Sequence, residues 1–139
     1  MFTKHFTVTE ANEMLPLLQD ELKIIQHLYK DLMIKSAALK KLKEGFHPSE
    51  LSDDPDPFFT LECELEFTQL EIKNHLSNIA RHGVQIKNIK PALLDFPALI
   101  DGREVLLCWK QGEEGIEYYH DMNDGFAGRK KLNGDSPTE

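Results

Sequence analysis

From Ala11 onward the apolar residues step by threes and fours: Leu15, Leu18, Leu22, Ile25, Tyr29 and Leu32, with Leu39 continuing the seam. That spacing predicts an amphipathic helix with one buried stripe, ending before Gly45. Thr7-Val8-Thr9-Glu10 ahead of it has the spacing of a capping box: the Thr7 hydroxyl satisfies an early amide and Glu10 reaches back. Pro16 lies more than one turn inside, so a kink, or a restart of the helix at Pro16, is expected there. Phe46 to Pro57 is acidic, proline-bearing and aperiodic, and reads as an exposed connection. Asp56 then offers an N-cap and Pro57 a first-turn proline. Leu61, Leu65, Ile72, Leu76 and Ile79 line one face of a second helix, widened by Phe58 and Phe67, and Gly83 after Arg81-His82 stops it. Two such helices predict an antiparallel hairpin over about residues 8–83.

Beyond Gly83 the period changes to two. Leu94, Phe96, Ala98 and Ile100 share one face of a strand, and Asp101-Gly102 signals a hairpin whose central residues both take positive φ. Pairing across that turn sets Ala98 against Val105, Phe96 against Leu107, Leu94 against Trp109 and Asp95 against Cys108. A second turn, read as four residues from Gly112 to Gly115, returns through Ile116 to His120. In that register Trp109 faces Tyr118 and Leu107 faces His120, with Trp109 and Tyr118 both on the helix-facing side. The fold class expected is α+β: a long antiparallel helical hairpin packed on a small three-stranded antiparallel sheet. The whole of 1–139 is expected to form one domain, with a β-meander and C-terminal loop over about 84–132 and a mobile tail at 133–139.

Composition narrows the function more than it defines it. Sixteen Lys and Arg against 24 Asp and Glu give a net charge of -8, a sign that repels phosphate backbones and argues against nucleic acid as partner. The Lys40, Lys41 and Lys43 cluster is explained by a helix C-terminus that favours cations. The two cysteines, Cys63 and Cys108, are far apart and form no Cys-x-x-Cys pair, which fits a reducing cytoplasm. No stretch has the length of a membrane span or the apolar core of a signal peptide.

No nucleophile–base pair, phosphate loop or full metal-ligand set stands at a recognised spacing. His120 is the leading candidate for chemistry, at a strand end before a loop that returns through two glycines to Arg129. Arg129 is suited to grip a carboxylate or phosphate. Its expected partner is Glu62 or Glu66 of the second helix, or a small anionic ligand beside His120. Trp109 and Tyr118 would form an aromatic wall of the same pocket, between helices and sheet. The structural alternative is that His120 bonds a backbone carbonyl, Arg129 pairs with a helix carboxylate, and the two aromatics are a cross-strand core pair. The counted register puts Cys108 and Asp95 on the face opposite His120, so these three are not expected to converge. Glu71 with His75, and Glu62 with Glu66, share helix faces, but two ligands do not fix a metal, and no metal or cofactor is assigned.

Three blocks resemble a bacterial family catalogued as domain of unknown function 2203. They are Phe6-Thr7-Val8-Thr9-Glu10-Ala11-Asn12; Asp95-Phe96-Pro97 with Asp101-Gly102-Arg103-Glu104-Val105; and Leu107-Cys108-Trp109 through Gly112-Glu113 to His120 and Gly125-Phe126-Ala127-Gly128-Arg129. The resemblance implies Trp before the His and Pro after the Arg, where this chain has Tyr119 and Lys130. It implies no activity; its content is that the hairpin block forms one unit. The resulting expectation is a cytoplasmic binding or interaction module, homodimeric through the helices. The alternative is a small enzyme or metal-dependent protein with its pocket at His120 and Arg129.

Overall fold

The computed structural model describes residues 4–45 and 54–132. Most of the Phe46–Pro57 connection and all of the tail from residue 133 therefore lie outside the described residues.

Helix α1 (Val8–Lys43) opens on the expected capping box: the Glu10 amide donates to Thr7 Oγ1 at 3.1 Å and the Thr7 amide to Glu10 Oε1 at 2.9 Å. The helix runs through Pro16, which faces solvent, so no restart occurs there. Helix α2 (Pro57–Arg81) begins where Asp56 accepts the Phe59 amide at 3.1 Å and ends before Gly83, whose φ of 86° suits glycine. The two helices pack as a hairpin. His75 of α2 bonds Glu21 of α1, and Lys35 of α1 bridges its own Asp31 at 2.9 Å and Glu64 of α2 at 3.8 Å.

The sheet has five antiparallel strands in chain order: β1 (Gln85–Ile89), β2 (Ala92–Ile100), β3 (Arg103–Lys110), β4 (Tyr118–Asp121) and β5 (Lys130–Lys131). Two of these were not expected. β1 carries a bulge at Lys87, between the Ile86–Leu94 and Asn88–Leu93 pairs, which breaks the alternation that marks a strand. β5 is only two residues long. The first hairpin has the expected register throughout, with Asp101 at φ 52° and Gly102 at φ 76°.

One face of the sheet is sealed by the helices. Leu94, Phe96, Ala98 and Ile100 of β2 and Val105, Leu107 and Trp109 of β3 pack there with Leu15, Leu18, Leu22 and Ile25 of α1 and Ile79 of α2. Phe6 closes one end, edge-on to Phe96 with ring centroids 5.4 Å apart. The α1 stripe is thus consumed inside the fold from Ala11 to Ile25, with Tyr29 packed at its edge.

The second hairpin corrects the sequence reading. Cys108, not Trp109, pairs with Tyr118, and Leu106, not Leu107, pairs with His120. The connection is Gln111–Glu117, seven residues, because Ile116 is drawn into the core instead of opening β4. Its amide donates to Asn12 Oδ1 of α1 at 2.8 Å, and Gly115 lies so close to that oxygen that a Cβ would meet it at 2.9 Å. A slip of one residue exchanges the faces of a strand. Tyr119 therefore packs against the core, while Tyr118 and His120 face away from the helices.

Candidate functional site

The face turned away from the helices carries Asp95 on β2, Cys108 on β3 and His120 on β4. They reach it because Asp95 pairs with Cys108, and His120 lies two residues beyond Tyr118, the partner of Cys108. All three are buried, at 2%, 1% and 2% exposure. One ligating atom from each lies within 4.8 Å of the other two. The convergence excluded by the expected register is thus present, and the single-residue slip causes it.

The bonds around His120 define its tautomer. Nδ1 lies 2.8 Å from the Asp121 carbonyl, which can only accept, so Nδ1 carries a proton. Nε2 lies 3.1 Å from both Asp95 carboxylate oxygens. Burial, reinforced by the Asp95 charge, pushes the Cys108 thiol up to about 12. Above the cluster lies a cleft of about 530 Å³, walled by Lys87 from the β1 bulge and by Met122, Asn123, Gly125 and Phe126 of the loop after β4. A larger concavity beside α1, about 670 Å³ and lined by His27, Tyr29, Lys30 and Met33, brings together no comparable ligating cluster among the described residues. Convergent chemistry, not volume, marks the first as the candidate site.

The other expected site residues are dispersed. Arg129 pairs with neither Glu62 nor Glu66, which are exposed on α2 across the sheet. It donates instead to both oxygens of Glu113, at 2.8 and 2.7 Å, and its guanidinium lies over the Tyr118 ring at 4.0 Å and the Phe126 ring at 4.7 Å. Glu113 in turn accepts the Lys110 amide at 2.7 Å, and its carbonyl accepts Trp109 Nε1 at 3.0 Å. Arg129 is therefore a staple on the seven-residue loop, and the pocket lies on the outer sheet face instead of between helices and sheet. Trp109 belongs to the core; Tyr118 belongs to the outer face. Asp95 and Cys108 had been set aside by the expected register, and Lys87 was missed. The sequence pointer to the first two was their cross-strand pairing, already legible from Asp101-Gly102.

Among the described residues no helix is long and apolar enough to cross a membrane. No curated protein and no solved structure matches the chain. The family model for an uncharacterized conserved protein, DUF2203, matches residues 4–132, nearly the whole chain, and the chain belongs to that family.

Proposed function

We propose that this protein is an interaction module that works as a homodimer, associating through the outer face of α2. The observation that carries this reading is an unpartnered seam. Phe59, Phe67 and Leu70 are 63%, 64% and 58% exposed, and with the exposed Cys63 they follow at spacings of four, four and three along one side of the helix. Large apolar side chains contiguous on one face are characteristic of interfaces. Their partner is a second copy running antiparallel. Glu62 and Glu66 flank the seam toward its N-terminal end and Lys73 flanks the same side toward the C-terminal end. A two-fold axis crossing the helix brings like flanks together, so the acids of one copy meet Lys73 of the other. Three large apolar groups per copy, at roughly 1.5–3 kcal/mol each when fully buried, set against an association cost of about 4–15 kcal/mol, suit a micromolar dimer. The acidic balance disfavours nucleic acid, and two cysteines with no pairing motif suit a cytoplasmic location.

Sedimentation equilibrium across micromolar to submillimolar concentration tests the reading. The expected result is a dimer that dissociates in the doubly substituted Phe67→Glu, Leu70→Glu protein with the circular dichroism unchanged. A wild-type monomer throughout the range overturns it.

A second reading, a small enzyme or metal-dependent protein, is favoured by the Asp95–Cys108–His120 cluster beneath its cleft. It moves the expected pocket from His120 and Arg129 to these three residues. Lys87 at the rim is the group that would favour a small anionic ligand there.

A further inference from the structure

The geometry points to a mononuclear transition-metal centre, of the zinc class, held by the Asp95 carboxylate, the Cys108 thiolate and His120 Nε2, with a fourth position open to the cleft. This inference deepens the metal-dependent reading and is independent of self-association.

The first argument is the tautomer. With the Nδ1 proton committed to the Asp121 carbonyl, a neutral imidazole presents its Nε2 lone pair to two carboxylate oxygens 3.1 Å away. Lone pair against carboxylate is repulsive in a buried site, so a positive species belongs between them: a second ring proton or a metal cation. A proton would satisfy Nε2 and Asp95, and the Cys108 thiol would then do no more than bond the same carboxylate. A dication satisfies all three groups. An imidazole whose far nitrogen donates to a backbone carbonyl is also the usual outer-shell arrangement of a ligating histidine, because that bond fixes the ring and directs Nε2.

The second argument is distance. Bond lengths of about 2.0–2.3 Å give a tetrahedral zinc site ligand–ligand edges of roughly 3.3–3.6 Å. The Nε2–Oδ distances of 3.1 Å lie close to that edge, and the whole group falls within 4.8 Å. Side-chain rotations of a few tenths of an ångström to about an ångström close the set.

The third is the donor chemistry. Sulfur and nitrogen donors disfavour magnesium and calcium, and one thiolate with one imidazole and one carboxylate suits a borderline ion such as Zn²⁺ or Co²⁺. Two anionic ligands neutralise the dication, so the buried site carries no net charge. The thiol proton leaves to solvent as the metal binds, and the thiolate becomes a ligand of the dication. Three protein ligands leave the fourth position to water or a small ligand, the arrangement of zinc sites that do chemistry. That position opens to the cleft beside Lys87 and Asn123. The bulge at Lys87 adds a cation at the rim, where an anionic fourth ligand would carry its charge.

The test uses the purified full chain stripped with a chelator. Zn²⁺ is titrated against a chromophoric competitor, and Co²⁺ is added in parallel and followed by its absorption spectrum. The expected result is one ion per chain, with a thiolate-to-cobalt charge-transfer band and the intense visible bands of a four-coordinate ion. The Cys63→Ser protein must keep both, since Cys108 is then the only cysteine. Cys108→Ser should abolish the charge-transfer band, and His120→Asn or Asp95→Asn should weaken Zn²⁺ binding by about 100-fold or more. Should those variants fail to fold, the Cys63→Ser spectrum alone decides. Absence of stoichiometric binding by the folded wild-type chain overturns the proposal, as does a charge-transfer band lost in Cys63→Ser. Metal binding without any reaction would leave the centre standing and remove only the enzymatic form of the second reading.

Discussion

Cys108 and Cys63 show how far burial separates two residues of the same chemistry. Cys63 is exposed on α2; Cys108 is sealed beneath the cleft, its thiol pushed up to about 12 by burial and by the Asp95 charge. The thiolate is the reactive form, so in the metal-free chain kept monomeric by Phe67→Glu and Leu70→Glu a maleimide or iodoacetamide should modify Cys63 quickly and Cys108 only after denaturant is added. Peptide mapping after brief labelling checks this, and equal modification of both sites would contradict the burial. Arg129 supplies the second residue-scale expectation. Its pair with Glu113 is largely shielded, 13% and 21% exposed on the two side chains, and it is doubled by stacking on Tyr118. It lies between an exposed pair, worth under about 1 kcal/mol, and a fully buried one, whose breakage costs about 3–5 kcal/mol. Arg129→Leu should therefore lower unfolding stability by about 1–3 kcal/mol in urea titrations, and a variant as stable as wild type would remove the staple from the account.

At the scale of elements, local rules were legible and one loop was not. The capping box at Thr7, the stop at Gly83 and the positive φ at Asp101-Gly102 each follow from side-chain chemistry within a few residues, and each stands as read. The first hairpin inherits its register from its turn. The second does not, because Gly112 and Gly115 mimic the ends of a short turn while the chain takes seven residues to descend to α1 and return. What sets its length is Asn12, 104 positions away from Ile116 in sequence, a tertiary bond that no local window contains. The missed slip then moved His120 to the wrong face, so the cluster was misread even though the Asp95–Cys108 pair was found. The same bond gives a prediction. Asn12→Ala leaves the buried Ile116 amide without its acceptor and should cost about 1–3 kcal/mol, and amide exchange should accelerate around Ile116 before it does in β2 or β3. Trp109→Ala, by contrast, removes a fully buried indole and its bond to Glu113, and about 3–5 kcal/mol should be lost in the same urea titration. A Trp109→Ala protein with an unchanged midpoint would be incompatible with the core described.

For the whole molecule, the net charge of -8 bears on how two copies meet. A compact chain of this length has a radius of gyration of roughly 14 Å, which puts the centres of two copies about 28 Å apart. Treated as point charges in water, two such copies repel by on the order of 10 kcal/mol without salt. At 0.1 M ionic strength a Debye length of about 10 Å cuts that to under about 1 kcal/mol. The Glu62–Lys73 pairs proposed across the α2 seam act in the other direction, but an exposed pair contributes only about 0.2–1 kcal/mol, and salt weakens it too. The apolar seam of Phe59, Phe67 and Leu70 is not weakened by screening. The larger effect decides the sign: adding sodium chloride from near zero to a few tenths molar should tighten the dimer, and most of the change should come in the first tenth. Sedimentation equilibrium over that series reads it directly. Progressive dissociation with salt would show that ion pairs, not the apolar seam, hold the copies together, and the interface would then have to be sought away from Phe67 and Leu70.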